Sequence, residues 1–286
     1  MSRIAYVNGR YVPHADAHVH VEDRGYQFSD GVYEVCEVYD GCLVDETRHM
    51  KRLQRSLGEL RIREPMSPKA LGHVLRETVR RNRVRNGLVY VQVTRGVARR
   101  DHPFPGPEVA PALVVTARSI DPKKSAKSGE KGISVITVPE NRWPRVDIKA
   151  VALLPNVLAR QAAEDAGASE AWFVDPDGYV TEGSATNAWI VDKDGSLITR
   201  PAENGILRGI TRSVVIDLAE REGVKLVERP FTVEEARQAR EAFVTSATKL
   251  VMPVVKVDDA VIGNGEPGSI ASNLRALFHT QAELNS

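Results

Sequence analysis

Lys149 stands beside an apolar run, in Asp147-Ile148-Lys149-Ala150-Val151-Ala152-Leu153-Leu154. Desolvating an ammonium is costly, so a lysine in such company invites a chemical reading. Burial favours the uncharged amine, which can condense with a carbonyl. The plain alternative is a strand whose lysine points at water. Glu182 lies in Tyr179-Val-Thr-Glu-Gly-Ser-Ala-Thr-Asn187, where a carboxylate precedes small, hydroxyl-bearing residues that let a ligand approach the backbone. The plain alternative there is a polar loop after the Asp177-Gly178 turn. In Leu207-Arg-Gly-Ile-Thr-Arg212, Gly209, Ile210 and Thr211 open a helix. Free N–H groups and the helix dipole suit such an end to a phosphate, although every helix has one. Phe243-Val-Thr-Ser-Ala-Thr248 ends a strand in hydroxyls, a second candidate phosphate contact.

The elements that must position these residues are legible from period and punctuation. Asn8-Gly9 between Ile4–Val7 and Arg10–Val12 predicts a hairpin, and Asp40-Gly41 predicts another from Val32 to Val44. Met50, Leu53, Leu57 and Leu60 recur at helical spacing, which predicts a helix over residues 47–60. Ser67-Pro68 caps a second helix with the buried stripe Leu71, Val74, Leu75 and Val79. Strands follow at Leu88–Thr94 and Ala112–Ala117. The lysine-rich stretch Asp121–Gly132 has no period and reads as a linker. Beyond it come a strand at Ile133–Val138, a helix at Asn156–Ala166, and strands at Ala171–Val174, Ala188–Val191, Lys225–Val227 and Ala242–Thr245. A helix runs from Gly209-Ile210 to Glu222, Thr232-Val-Glu-Glu235 opens a short one as a capping box, and the last starts at Ser269. Two halves of mixed hairpins and helices predict two α+β domains, 1–120 and 133–286, joined by 121–132.

The bulk properties exclude several classes of function. A chain of 286 residues suits two modest domains better than one core. Its 39 basic and 38 acidic residues give a net charge of +1, which argues against nucleic-acid binding by bulk charge. With 42% hydrophobic and 27% charged residues it reads as an ordinary folded globule. No window reaches the roughly 18 apolar residues of a membrane span, and the N-terminus has no secretory pattern. Cys36 and Cys42 flank a turn that pairs Tyr39 with Cys42, so both thiols are expected to be free, as suits a reducing cytoplasm.

Three patterns read as decoys. Gly263-Asn-Gly-Glu-Pro-Gly268 matches a dinucleotide fingerprint, but the chain stops at Ser286 before a βαβ unit can be completed. His14, His18 and His20 fit no metal-ligand spacing, so no metal is expected. Arg76, Arg80, Arg81, Arg83 and Arg85 read as the solvated face of a helix. No Gly-x-Ser-x-Gly elbow offers a hydrolase nucleophile.

A carbonyl-capturing lysine, a carboxylate for a ring nitrogen and a phosphate cup together describe a pyridoxal phosphate site. The sequence closely resembles the fold-type IV (class IV) pyridoxal phosphate-dependent aminotransferases, and within them the D-amino acid aminotransferases. The resemblance is carried by Glu22-Asp-Arg-Gly-Tyr-Gln-Phe-Ser-Asp-Gly-Val-Tyr-Glu34 and Val91-Gln-Val-Thr-Arg-Gly-Val-Ala-Arg-Arg-Asp-His102. Asp147-Ile-Lys149, Thr181-Glu-Gly-Ser184, Ile206–Arg212 and Phe243-Val-Thr-Ser246 continue it in the family's order, across essentially the whole chain. It implies a small α/β N-terminal domain and a larger pseudo-barrel C-terminal domain that binds the cofactor.

Position by position, the resemblance implies that Lys149 is the catalytic lysine that holds pyridoxal phosphate covalently. It implies Glu182 against the pyridine nitrogen, Leu207 packed on the ring, and Arg52, Ile210, Thr211 and Thr248 around the phosphate. Tyr33, Arg100 and His102 match the group that binds the substrate α-carboxylate, with the arginine and histidine supplied by the other subunit of a homodimer. The implied reaction moves the amino group of D-amino acids, D-alanine or D-glutamate above all, to 2-oxo acids such as 2-oxoglutarate or pyruvate, in two half-reactions. Three positions depart from the family: Ala185 replaces a hydroxyl, Leu250 an acidic residue and Ala152 a polar one. The rivals within the family are branched-chain L-aminotransferase and 4-amino-4-deoxychorismate lyase, against which Arg100-x-His102 after Thr94-Arg95-Gly96 speaks for D-substrates.

Overall fold

The computed structural model describes residues 3–203 and 205–285. It divides into two compact units. The first holds the chain up to Asp121, Ile148–Ala152 and the residues from Glu283 onward; the second holds Pro122–Asp147 and Leu153–Ala282.

The first unit begins with strands β1 (Ile4–Val7) and β2 (Arg10–Pro13), helix α1 (Arg24–Phe28), and strands β3 (Gly31–Tyr39) and β4 (Cys42–Val44). Helices α2 (Glu46–Glu59) and α3 (Pro68–Arg81) precede strands β5 (Gly87–Thr94) and β6 (Ala112–Ser119). With the terminal strand Leu284–Asn285 on its edge, the sheet has seven strands, in which β3 and β5 lie centrally. Both hairpin turns put successive residues at positive φ, Asn8 at 45° with Gly9 at 93° and Asp40 at 49° with Gly41 at 87°. This is the backbone that two-residue hairpins need and that Asn-Gly and Asp-Gly tolerate. Tyr39 pairs with Cys42, and both cysteines are free. Ser67 caps α3 by accepting from Ala70 N. Leu53, Leu57, Leu75 and Val79 bury the apolar stripes of α2 and α3 together with Val89, Val91 and Val115 from the sheet. The arginine run pairs with carboxylates: Arg80 and Arg81 with Glu77, Arg76 with Glu46 and Arg85 with Asp40.

In the second unit the predicted linker is instead helix α4 (Pro122–Lys131). It lacks an apolar period, but Arg275 donates to the Ser125 carbonyl and hydroxyl, and Gly129 is buried. A tertiary anchor thus orders a segment that reads as coil. The order continues β7 (Ile133–Pro139), α5 (Leu154–Asp165), β8 (Glu170–Val174), β9 (Val180–Gly183), β10 (Asn187–Val191) and β11 (Leu197–Thr199). Then come α6 (Ile210–Arg221), β12 (Leu226–Glu228), α7 (Val233–Arg237), β13 (Glu241–Ser246), β14 (Leu250–Val257), β15 (Ala260–Val261) and α8 (Ser269–Gln281). Nine strands form one mixed sheet, eight of them in the order β12-β11-β10-β13-β14-β7-β8-β9, with β15 paired to β14. Strands β9, β11 and β14 escape the sequence reading because they are short or continuously buried, so no alternation marks them. Glu182 therefore lies on a buried strand and not in a polar loop. Thr232 and Glu235 form the capping box of α7.

The glycine-rich Gly263–Gly268 connects β15 to α8. The buried Glu241 carboxylate accepts from Ile270 N and Ala271 N at 3.2 and 3.0 Å. An acidic side chain already satisfies that helix end, so the pattern is a capped turn and not a phosphate loop. Among the described residues no helix is long and apolar enough to cross a membrane.

Candidate active site

Lys149 belongs with the first unit, although its place in the sequence reads as part of the second half. The segment Ile148–Ala152 adds to the edge of β3. Tyr33 N donates to Lys149 O at 3.0 Å, Val151 N to Gly31 O at 3.0 Å, and Ala150 bridges Val32. Lys149 N donates to Ser56 Oγ on α2 at 3.4 Å. The side chain is half-buried, with Nζ 4.1 Å from the centre of the Tyr33 ring, and Tyr33 packs on Tyr90 at 5.7 Å. Main-chain bonds on both sides thus fix where the amine starts from, and its free end rests on an aromatic face.

One turn before Ser56, Arg52 meets a fully buried carboxylate. Its Nε and Nη2 donate to Glu34 Oε1 and Oε2 at 2.7 and 2.8 Å, and His49 Nδ1 lies 2.8 Å from Oε2. Burial alone would raise the Glu34 carboxyl, but the Arg52 guanidinium and His49 hold it far below the usual carboxylate range. Glu34 is therefore ionised and His49 Nδ1 donates. The two-pronged pair fixes the plane of the Arg52 guanidinium. Glu34→Ala strips both partners of a buried acceptor and is expected to cost about 3–5 kcal/mol of unfolding free energy, read by urea denaturation. Because the folded carboxyl is held below its unfolded value of 4.5, its contribution is full above that pH and is lost as pH falls. The gap between parent and variant should therefore narrow on acidification.

The loop after β5 carries Arg100 and His102, both exposed. They gather around Phe28 of α1, the Arg100 guanidinium 5.0 Å from its ring centre and the His102 ring at 5.5 Å. Among the described residues the first unit thus presents two groupings, Lys149 with Tyr33 and Arg100 with His102.

In the second unit, Glu182 is buried on β9 and accepts three hydrogen bonds. Arg142 Nη1 reaches Oε1 at 2.5 Å, while Asn187 Nδ2 and Leu207 N reach Oε2 at 3.1 Å each. Asn187 Nδ2 also donates to Leu207 O at 2.9 Å, and so ties Leu207 to the carboxylate. Arg142 is shared with Glu140, donating to it through Nε and Nη2 at 2.8 and 2.6 Å. Two carboxylates thus face one guanidinium, a balance of 1 − 2 = −1 if both are ionised. Burial pushes Glu182 above the ordinary carboxylate range against the pull of Arg142. A protonated ring nitrogen would bring the charge that this group needs.

Three residues past Leu207, α6 begins at Ile210 with Gly209 as its N-cap, and among the described residues no side chain caps it. Its first residues, Ile210 and Thr211, are buried. A Cβ at position 209 would collide with Asn187 Oδ1, so only glycine lets the helix start this close to the Glu182 network. Unlike α8, whose end is taken by Glu241, α6 offers its leading N–H groups to an anion. Thr248 lies in the turn between β13 and β14, its Oγ1 3.1 Å from Ser246 Oγ. Two residues on, Leu250 adopts a left-handed φ of 55°.

Arg142 escapes the sequence reading, and Asn187 and Glu34 stand there only inside longer motifs with no role assigned. No spacing announces them; the one available signal is that a carboxylate in an apolar strand requires a buried partner somewhere.

A buried carboxylate network tied to a helix start suits pyridoxal phosphate, and the family comparison places the protein among the enzymes that use that cofactor. The amino-transferase class IV family model matches residues 31–257, and the chain belongs to that family. It is 40% identical over 282 residues to the D-alanine aminotransferase of Staphylococcus haemolyticus, covering 98% of each chain. To the D-alanine aminotransferase of Bacillus licheniformis it is 41% identical over 268 residues, covering 94% of this chain and 93% of the relative. Among solved structures, the T.th. branched-chain amino acid aminotransferase with pyridoxamine 5'-phosphate has a TM-score of 0.89 at 28% identity, covering 98% of this chain and 93% of that one. The fold is that of the fold-type IV enzymes, and the activity is that of a pyridoxal phosphate-dependent aminotransferase.

Proposed function

We propose that this protein moves the amino group of D-amino acids, D-alanine and D-glutamate foremost, to 2-oxo acids such as 2-oxoglutarate and pyruvate. The observation that carries this reading is the 40% identity to a D-alanine aminotransferase across 98% of both chains. Pyridoxal phosphate supplies a carbonyl that captures the amino group and a ring that draws electrons from the substrate Cα. Lys149 holds it covalently and, once released, takes the proton from Cα through Nζ. Glu182, kept in place by Arg142 and Asn187, holds the proton on the ring nitrogen by its negative charge. Arg52, Ile210, Thr211 and Thr248 hold the phosphate, and Leu207 packs against the ring.

Tyr33, Arg100 and His102 bind the substrate α-carboxylate, and the last two do so in the site of a second copy. A guanidinium grips both carboxylate oxygens at once and so fixes which face of Cα meets Lys149. The homodimer this requires is in keeping with large apolar side chains left uncovered in the first unit, where Val21 and Tyr26 are 73% and 77% exposed. The two free thiols agree with action in the cytoplasm.

The test is a comparison of D-alanine and L-leucine as donors with 2-oxoglutarate. D-alanine is expected to be favoured by about tenfold or more in kcat/KM. A preference for L-leucine would install the branched-chain reading instead, which the 28% identity to the T.th. branched-chain enzyme keeps as the second choice.

A further inference from the structure

We propose that Arg24 is a positioning residue for substrate binding: it sets the loop on which Arg100 and His102 stand, without itself touching substrate. The proposal rests on the reading of those two residues as the carboxylate-binding pair.

The loop needs an external anchor. Within one copy residues 99–104 are all exposed, so burial inside their own subunit contributes little to holding their side chains. Arg24, by contrast, opens α1 and is 3% exposed. Its guanidinium gathers three consecutive loop carbonyls. Nη1 donates to Asp101 O at 2.6 Å and to Pro103 O at 3.4 Å, and Nη2 donates to His102 O at 3.3 Å. Three adjacent carbonyls turned toward one cation impose a curve on the backbone that carries His102.

The same residue also fixes the platform beneath the side chains. Arg24 lies 4.8 Å from the centre of the Phe28 ring, one turn along α1. That ring is the one against which Arg100 and His102 pack. Arg24 is itself held by Asp30, which accepts from its Nε at 2.8 Å. Asp30 also accepts from Arg95 Nε and Nη2 at 2.7 and 3.0 Å. Burial would raise the Asp30 carboxyl, but the bonded Arg95 and Arg24 hold it below the usual carboxylate range. Arg95 in turn donates to Leu60 O and Arg61 O and lies 3.6 Å from the Phe104 ring centre. One carboxylate therefore braces two arginines, one on the loop backbone at 101–103 and one under Phe104.

A lysine at position 24 keeps the charge but has no fork, so it cannot serve Asp30 and three carbonyls together. In the holoenzyme, Arg24→Lys is expected to raise KM for D-alanine about 10- to 100-fold with kcat changed far less. Trypsin should nick the variant after Arg99 or Arg100 faster than the parent, because a loosened exposed loop is the preferred site of cleavage. The variant's thermal midpoint serves as the check on folding. In an Arg100→Ala/His102→Ala background, Arg24→Lys should leave KM unchanged, since Arg24 acts only through the loop that carries those two residues. Unchanged nicking, or effects on KM that multiply, would overturn the proposal. Should Arg100→Ala/His102→Ala leave KM untouched, the carboxylate-binding reading fails, and the nicking rate still judges whether Arg24 sets the loop.

Discussion

Lys149→Ala is expected to lower turnover by about 10⁴-fold, the upper range for loss of a positioned acid–base group. Borohydride should fix pyridoxal phosphate to the parent protein and not to the variant, as read by mass. The fold should survive the change. Lys149 is held by its main chain, through Tyr33 N and Ser56 Oγ, and neither bond involves the part removed. The side chain's contact is with the Tyr33 ring, worth about 0.5–1 kcal/mol at a partly exposed site. A variant that retains covalent attachment and turnover would displace Lys149 from its role. A variant that merely unfolds would show it in urea, where the midpoint should move little.

Glu182→Gln removes the charge while keeping the shape, and kcat should fall about 10²-fold, the scale for loss of one preorganised electrostatic contact in a buried site. Its effect on stability should run opposite to that of Glu34. Burial raises the folded carboxyl of Glu182, so its stabilising contribution is present at low pH and is lost as pH rises through the raised value. Going up in pH, the glutamine variant of the cofactor-free protein should gain on its parent, whereas Glu34→Ala should lose ground. The cause is the ratio of partners. Glu34 faces a guanidinium and an imidazole, whereas Glu182 shares one guanidinium with Glu140. Urea midpoints measured from about pH 4 to 7 separate the two slopes, and parallel slopes would remove the charge argument. A glutamate that costs stability in the empty protein but supports turnover is the trade expected of a functional group.

Much of the molecule is encoded within a few residues of itself. Asn8-Gly9 and Asp40-Gly41 adopt the positive φ values that their types permit, and the registers Val7–Arg10 and Tyr39–Cys42 follow from the turn lengths. Ser67 and Thr232 cap the helices they precede. Apolar stripes at helical spacing fix the buried faces of α2 and α3. Lys149 and Glu182 stand out in the sequence for a related reason, since each is a charged side chain among apolar or small neighbours.

The partners that reach Glu182 and the loop at 101–103 are not local, and there the tertiary structure decides. Glu182 finds Arg142 across 40 residues of sequence, and Arg24 reaches the His102 carbonyl across 78. The lysine-rich stretch becomes α4 because Arg275 reaches Ser125 across 150 residues. Two helix starts that each follow a glycine differ because Glu241 folds back onto α8 while, among the described residues, nothing comparable caps α6. Local preference depends on backbone geometry that a few residues determine. The partner of a buried charge depends on which distant segment the fold brings within hydrogen-bonding reach, and the residues on either side do not specify it.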